Sequence, residues 1–206
     1  LAVVLALTTA AAWPLFDFER MRFRPLAVDM SQESLLPEGD EARAFYDFTR
    51  KAFGSDESMV VAVSTDDVFT HDSLARIQRI VSRVERLDGV HHVVAITNAA
   101  NVRGSEDGID IRPFVKEVPT DPAALEELRR QALENPLYAG NLISKDGKTA
   151  ALVVQFLNIS DREFIAKGLD GAIRAIAHEE AGSARIWITG GPHLRADPGG
   201  QVQVAA

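Results

Sequence analysis

Four residues within seven positions carry side chains that can bind a hard cation or move a proton: Asp66, Asp67, His71 and Asp72. Clustered carboxylate oxygens suit a cation such as Ca2+. The same residues also suit a solvated loop running into a helix capped by Thr70 or Asp72, and the spacing favours that reading. His91 and His92 are adjacent in a Val-rich run. Neighbours in a strand point to opposite faces, so the two rings are not expected to share one metal ion. Ser64 and Ser144 have no base and orienting group arranged near them in sequence, as an activated nucleophile requires. Gly190-Gly191-Pro192 reads as a turn, since no helix N-terminus is expected behind it to cradle a phosphate. The expectation is a chain with no catalytic residue, no metal site and no cofactor.

The elements that would position these residues follow from periodicity. Asp40 suits an N-cap, with Phe45, Phe48, Ala52 and Phe53 on one helical face before Gly54; these aromatics are expected to anchor in a core. Met59–Val63 reads as a buried strand. Leu74, Ile77, Val81 and Val84 repeat at helical spacing, and Asp88-Gly89 closes that helix. Val90–Thr97 is a second strand, and an arm turns at residues 105–108 and returns extended over Ile109–Val115. Asp121-Pro122 starts a helix with Pro in its first turn, ending by Asn135-Pro136. Lys145-Asp-Gly-Lys148 joins Leu142–Ser144 to Thr149–Leu157 as a hairpin. Ser160 and Glu163 suit a capping box for a helix carrying Ile165, Leu169, Ile173 and Ile176 on one side. Arg185–Thr189 is the last strand.

Without the arm and the inserted helix, the order is β-α-β-β-α-β. That predicts an α+β fold of the ferredoxin-like, split βαβ kind, an antiparallel sheet with both helices on one face. The first and third strands should be central, and they are the most continuously apolar. Such a sheet reads RNA through aromatics on its central strands, and Met59–Val63 has none. A phosphate cradle after the first strand would need cationic and glycine residues, whereas Ser64-Thr-Asp-Asp-Val68 repels anions.

Composition narrows the classes further. Of 206 residues, 46% are hydrophobic, which supports a sizeable core. Thirty acidic against 22 basic residues give a net charge of -8, and no basic stripe stands out, so no nucleic-acid footprint is expected. The absence of cysteine removes disulfides, thiolate zinc sites and thiol nucleophiles.

Leu1–Trp13 is an uncharged apolar run, shorter than the roughly 20 residues that span a bilayer. Two readings stay open: the h-region of a signal peptide with Ala10-Ala11-Ala12 near the cleavage site, or the outer half of a membrane helix. Trp13-Pro14 favours the helix. Both readings place the rest of the chain outside the cytoplasm. Residues 196–206 read as loop or tail.

Several segments together resemble the first extracytoplasmic loop of RND-superfamily exporters of the MMPL and hopanoid-transporter type. They are Leu35-Leu-Pro-Glu-Gly-Asp40, the helix and Val-rich strand over Phe45–Val63, and Asp67-Val-Phe69 through Gly89-Val90. Asn135-Pro-Leu-Tyr-Ala-Gly140 with Leu142-Ile-Ser-Lys-Asp-Gly147, and Thr189-Gly-Gly-Pro192, complete the set. The resemblance covers about residues 1–195 and implies four parts. Residues 1–13 would end a first transmembrane helix, 14–56 would form a linker segment and helix, 57–192 a periplasmic porter domain, and 193–206 an atypical tail left by truncation.

The resemblance further implies a non-enzymatic part of a proton-driven exporter in the bacterial inner membrane, passing hydrophobic or lipid-like substrates. Its partners would be a second porter domain and the membrane helices of the same transporter. The proton-carrying residues of such exporters lie in membrane helices and fall on no residue of this chain, so the chain alone would not transport. No residue is assigned to the substrate path. The alternative from the residues themselves is a secreted ferredoxin-like binding module whose first residues are a cleaved signal peptide.

Overall fold

The computed structural model describes residues 16–17, 22–23, 40–53, 57–105, 108–157 and 159–196. The chain divides into two units, Leu1–Glu38 and Gly39–Ala206. In the first, β1 (Phe16–Asp17) and β2 (Arg22–Phe23) form a short antiparallel pair. The apolar run 1–13, Gly54, and the tail beyond Ala196 lie outside the described residues. Among the described residues, no helix is long and apolar enough to cross a membrane.

The second unit holds α1 (Glu41–Phe53), β3 (Ser58–Ser64), α2 (His71–Val84), β4 (Val90–Val94), β5 (Ala100–Ser105) and β6 (Gly108–Pro113). It continues with α3 (Pro122–Glu134), β7 (Thr149–Phe156), α4 (Asp161–Ala166), α5 (Leu169–Ala181), β8 (Arg185–Gly190) and α6 (Gly191–Ala196). Strands β4-β7-β3-β8 form one antiparallel sheet in that order. This is the ferredoxin-like arrangement, with the first and third strands of the repeat in the centre.

Alternation explains the sheet. Met59, Val61 and Val63 of β3 are buried, as are Ala150, Leu152, Val154 and Phe156 of β7 and Ile186 and Ile188 of β8. They share one apolar cluster with Leu74, Ile77, Ile80, Val81 and Val84 of α2 and Leu169, Ile173, Ile176 and Ala177 of α5. Helices α2 and α5 pack side by side. The hydrophobic effect fixes this register, because a slip of one residue would turn every apolar side chain out of the core.

Caps set the helix starts. Thr70 Oγ1 accepts from Ser73 N at 3.2 Å, and Asp121 Oδ2 from Ala124 N at 3.1 Å. Ser160 Oγ accepts from Glu163 N at 3.3 Å and starts α4. Each satisfies a backbone donor that the first helical turn leaves without an intrahelical partner.

Several expectations need correction. The helix begun at Ser160 is broken into α4 and α5 by Gly168, which takes φ +63°. Ile165 consequently turns out to solvent, at 53% exposure, while Leu169, Ile173 and Ile176 stay inside. Strand β4 stops at Val94 and not at Thr97. The Asn98 side chain accepts from Ala95 N and donates to Val93 O, which turns the chain away from the sheet. Phe45 and Phe48 are not core anchors, being 70% and 63% exposed. A 3.6-residue stripe shows that a helix is amphipathic but leaves open what covers it.

The arm is a β5–β6 hairpin whose pairing closes at Ser105↔Gly108. It is tied to the body by Phe114 and Tyr138, whose ring centroids lie 5.0 Å apart, and by Tyr138 Oη donating to Ala100 O at 2.8 Å. Asp146-Gly147 turns the chain into β7, with Gly147 at φ +73° and Ser144 N donating to Thr149 O, but Leu142–Ser144 forms no strand and meets β7 only in an isolated bridge, Ile143↔Ala150.

Candidate functional site

The residues with chemical potential do not assemble. Asp67 Oδ1 accepts from Phe69 N at 2.9 Å, and its Oδ2 lies 2.9 Å from Arg129 Nη1. His71 Nδ1 lies 3.0 Å from Pro119 O. Asp66 and Asp72 face solvent. Among the described residues no group of three acidic or histidine side chains could hold a metal ion. Asp67 braces the loop against α3, and Thr70 caps α2.

His91 and His92 depart from simple alternation. A register shift between Val90 and His92 interrupts the ladder with β7, and both rings face solvent. His92 Nδ1 lies 2.7 Å from Glu85 Oε1, which also accepts from Val93 N. An extra residue in a strand rotates its neighbours off the two-residue period, which is how adjacent side chains come to share one side.

The serines do structural work. Thr149 Oγ1 donates to Ser64 Oγ at 3.2 Å. Ser144 Oγ donates to Asp146 Oδ1 at 2.5 Å and accepts from Thr149 N at 2.8 Å, knitting the turn. That hydroxyl, followed by the Lys148 backbone N–H, holds the Asp146 carboxyl below its ordinary range.

What the fold does present is a surface. On the sheet face opposite the buried side chains, Val60 is in register with Val153 on one side and Thr189 on the other. Ala62 is in register with Ala151 and Trp187, and Val153 with Val94. All but exposed Thr189 are partly exposed. The strip's central residues are small, and it is fringed by Ser58, Gln155, Ser64, Thr149 and Arg185. A separate groove of about 410 Å³ beside α3 has an apolar floor at Phe114, Val115 and Leu128, with Lys116 and Glu117 lining it.

Two features escaped the sequence reading. The first is a row of arginines, Arg76, Arg79 and Arg83 on α2 with Arg86 just past its end, which corrects the expectation of no basic stripe. Two of them are drawn onto α5. Arg79 Nε lies 2.8 Å from Glu180 Oε2, and Arg83 reaches Glu179 Oε2 at 2.5 Å and Glu180 Oε1 at 3.0 Å. Hydrogen bonds to Glu179 and then Glu180 hold the Arg83 pKa above its ordinary value, and those from Arg79 and then Arg83 hold Glu180 below its own. Spacings of 3 and 4 residues would have revealed the row; its acidic partners lie about a hundred residues away.

The second is a partly buried cluster of polar and ionisable side chains around the end of the domain. After β8 the chain turns directly into α6, where the sequence suggested a Gly-Gly-Pro turn with no helix behind it. His193 on this helix is 3% exposed, and its Nδ1 lies 2.6 Å from Oδ1 of Asp170, itself 9% exposed. Arg174 donates to Asp170 Oδ2 at 3.1 Å. Arg195 Nη2 donates to Glu57 Oε2 at 2.5 Å, and its Nε lies 2.9 Å from Asp161 Oδ2, a charge contact without hydrogen-bond alignment. Burial works against the charged guanidinium, but the Glu57 hydrogen bond and the attraction of Glu57 and Asp161 outweigh it, so its pKa lies above the ordinary value.

A comparison with protein families matches the MMPL family over residues 40–204. No curated protein matches the chain significantly.

Proposed function

Since the chain belongs to the MMPL family, and is thus a domain of an RND/MMPL-type transporter and not an enzyme, we propose that it is the first periplasmic porter domain of a proton-driven exporter. In this reading residues 1–13 end a membrane helix of the bacterial inner membrane, 14–56 link it to the body, and the ferredoxin-like unit stands on the periplasmic side. The substrates are hydrophobic or lipid-like, as in hopanoid-type transporters. The partners are a second porter domain and the membrane helices of the same protein.

The observation that carries this reading is the partly exposed apolar strip across Val94, Val153, Val60, Ala62, Ala151 and Trp187. Contiguous apolar surface left partly open is costly in water and marks a contact or passage surface. Sheets also pack face to face through such strips, about 10 Å apart. A second domain of the same architecture would cover part of the strip and leave the remainder as an apolar wall. The domain's contribution would be steric, its walls shifting as a rigid body against those of its partner.

Sequencing the DNA on both sides of this reading frame tests the proposal. It expects bases upstream that complete a membrane helix, and downstream several further helices with a second β-α-β-rich domain. A Met and a basic segment just before Leu1, with a stop after Ala206, would overturn it in favour of a secreted binding module.

A further inference from the structure

The four-stranded sheet has two edge strands, β4 and β8, and they differ. Strand β4 is blunted: its ladder shifts register between Val90 and His92, and the Asn98 side chain turns the chain away after Val94. Such devices discourage a further strand from adding to an edge. Strand β8 has none of them. Arg185–Gly190 holds unbroken register with β3 on its inner side, contains no proline, and carries its single charge at one end, on Arg185.

Among the described residues, no other strand and no backbone hydrogen bond reaches the outer side of residues 185–189. Helix α6 follows at once but does not cover that side. Arg195 ties it to Glu57, just before β3, and to Asp161, beyond the end of β7. The helix therefore turns over the interior of the sheet and leaves the edge open.

The strand is also complementary to itself. Ile186 and Ile188 are buried in the core, whereas Arg185, Trp187 and Thr189 lie on the open face. A twofold axis through Trp187 sets an antiparallel copy with Trp187 against Trp187, Ile186 against Ile188 and Arg185 against Thr189. Buried side chains then meet buried ones, open ones meet open ones, and no charge opposes its like. Aromatic and β-branched pairs across two strands stabilise the pairing, while like charges placed opposite destabilise it.

We propose that β8 is a pairing edge for a second copy of this chain, which joins antiparallel about Trp187 and makes one sheet of the two. Main-chain hydrogen bonds supply the contact, as in other strand additions. The twofold axis closes the assembly at two copies. One consequence rests on the porter-domain reading: the two open strips become a single apolar wall through Trp187. The pairing itself does not need that reading, which the flanking DNA sequence decides separately.

Sedimentation equilibrium of the 206-residue chain between about 5 and 200 µM should show monomer and dimer in exchange, as for a contact at the small end of interface sizes. Thr189→Arg sets a second guanidinium opposite Arg185 of the other copy and should weaken the dimer at least about tenfold. Arg185→Glu added to it sets a carboxylate there and should restore the dimer. Circular dichroism checks that both variants fold. Should Thr189→Arg fail to fold, amide exchange of the natural sequence decides. Residues 185–190 should then exchange at least about threefold more slowly at the higher concentration, with residues 90–94 unchanged; equal rates at both concentrations would overturn the pairing. A chain that stays monomeric throughout also overturns it and leaves the edge to a strand of another domain or protein. So does a dimer indifferent to Thr189→Arg, or one that the double variant fails to restore.

Discussion

Gly190 and Ser58 meet at the edge of the sheet, where a Cβ on Gly190 would stand 2.6 Å from the Ser58 carbonyl oxygen. The glycine is the last residue of β8 and is the Cα partner of Met59. Its φ of +129° lies in a region that only glycine enters freely. Backbone fits this close are where a single methyl group does the most damage.

Gly190→Ala is accordingly expected to cost about 2 kcal/mol or more, combining an unfavourable φ with a backbone clash. Thermal unfolding followed by circular dichroism should show Tm lowered by roughly 5 °C. Gly171→Ala is the control. It lies inside α5 with nothing within 4 Å of the added carbon, so it should hold or raise Tm by the helix propensity of alanine, about 0.5–1 kcal/mol.

Ile77 and Phe48 separate two kinds of apolar residue. Ile77 is fully buried between α2 and the sheet, and Ile77→Ala should cost about 2–5 kcal/mol through lost contacts and the remaining cavity. Phe48 on α1 is 63% exposed, so Phe48→Ala should change the stability of this chain by no more than about 0.5 kcal/mol. Denaturant melts of the two variants measure the contrast. An equal loss from Phe48→Ala would mean that α1 is covered in solution.

Glu180 gives stability a pH dependence with a definite sign. Hydrogen bonds from Arg79, then Arg83, hold its pKa below the ordinary 4.5. A carboxyl depressed by folding contributes stability that is complete above its unfolded pKa and is lost as pH falls through the folded one. Glu180→Gln should therefore lower Tm near neutral pH and narrow its difference from the natural sequence on acidification below about 4.5. Melts from pH 7 to 3 check this; a difference that stayed constant would remove Glu180 from the acid response.

Ala62 tests the open strip. It lies mid-sheet between Ala151 and Trp187 on the partly exposed face. In the full-length exporter, Ala62→Glu should leave the domain folded and reduce export about tenfold or more, because a carboxylate would have to lose its water against an apolar partner. Export of a hydrophobic fluorescent probe from membrane vesicles reads the effect. Unchanged export would mean that the strip neither docks nor lines a passage.

The amino-acid sequence by itself determined the elements and their order. Alternation of Met59, Val61 and Val63, the 3.6-residue repeat through Leu74, Ile77 and Val84, the caps at Thr70, Asp121 and Ser160, and the Asp146-Gly147 turn are all local signals. They depend on backbone geometry within a few residues, so the ferredoxin-like plan and its central strands could be read directly.

Only the tertiary structure decided which faces met. Phe45 and Phe48 look like core residues until both are found exposed, since amphipathicity carries no information about a partner. Gly168 could have continued a helix or broken it, and packing of Leu169 and Ile173 against the sheet chose the break. Asp170 and His193 are 23 residues apart, and Glu57 and Arg195 are 138 apart. Long-range charge pairs have no period and no spacing, so nothing along the chain announces them. They come together because the hydrophobic register of β3, β7 and β8 brings both ends of the domain to one edge.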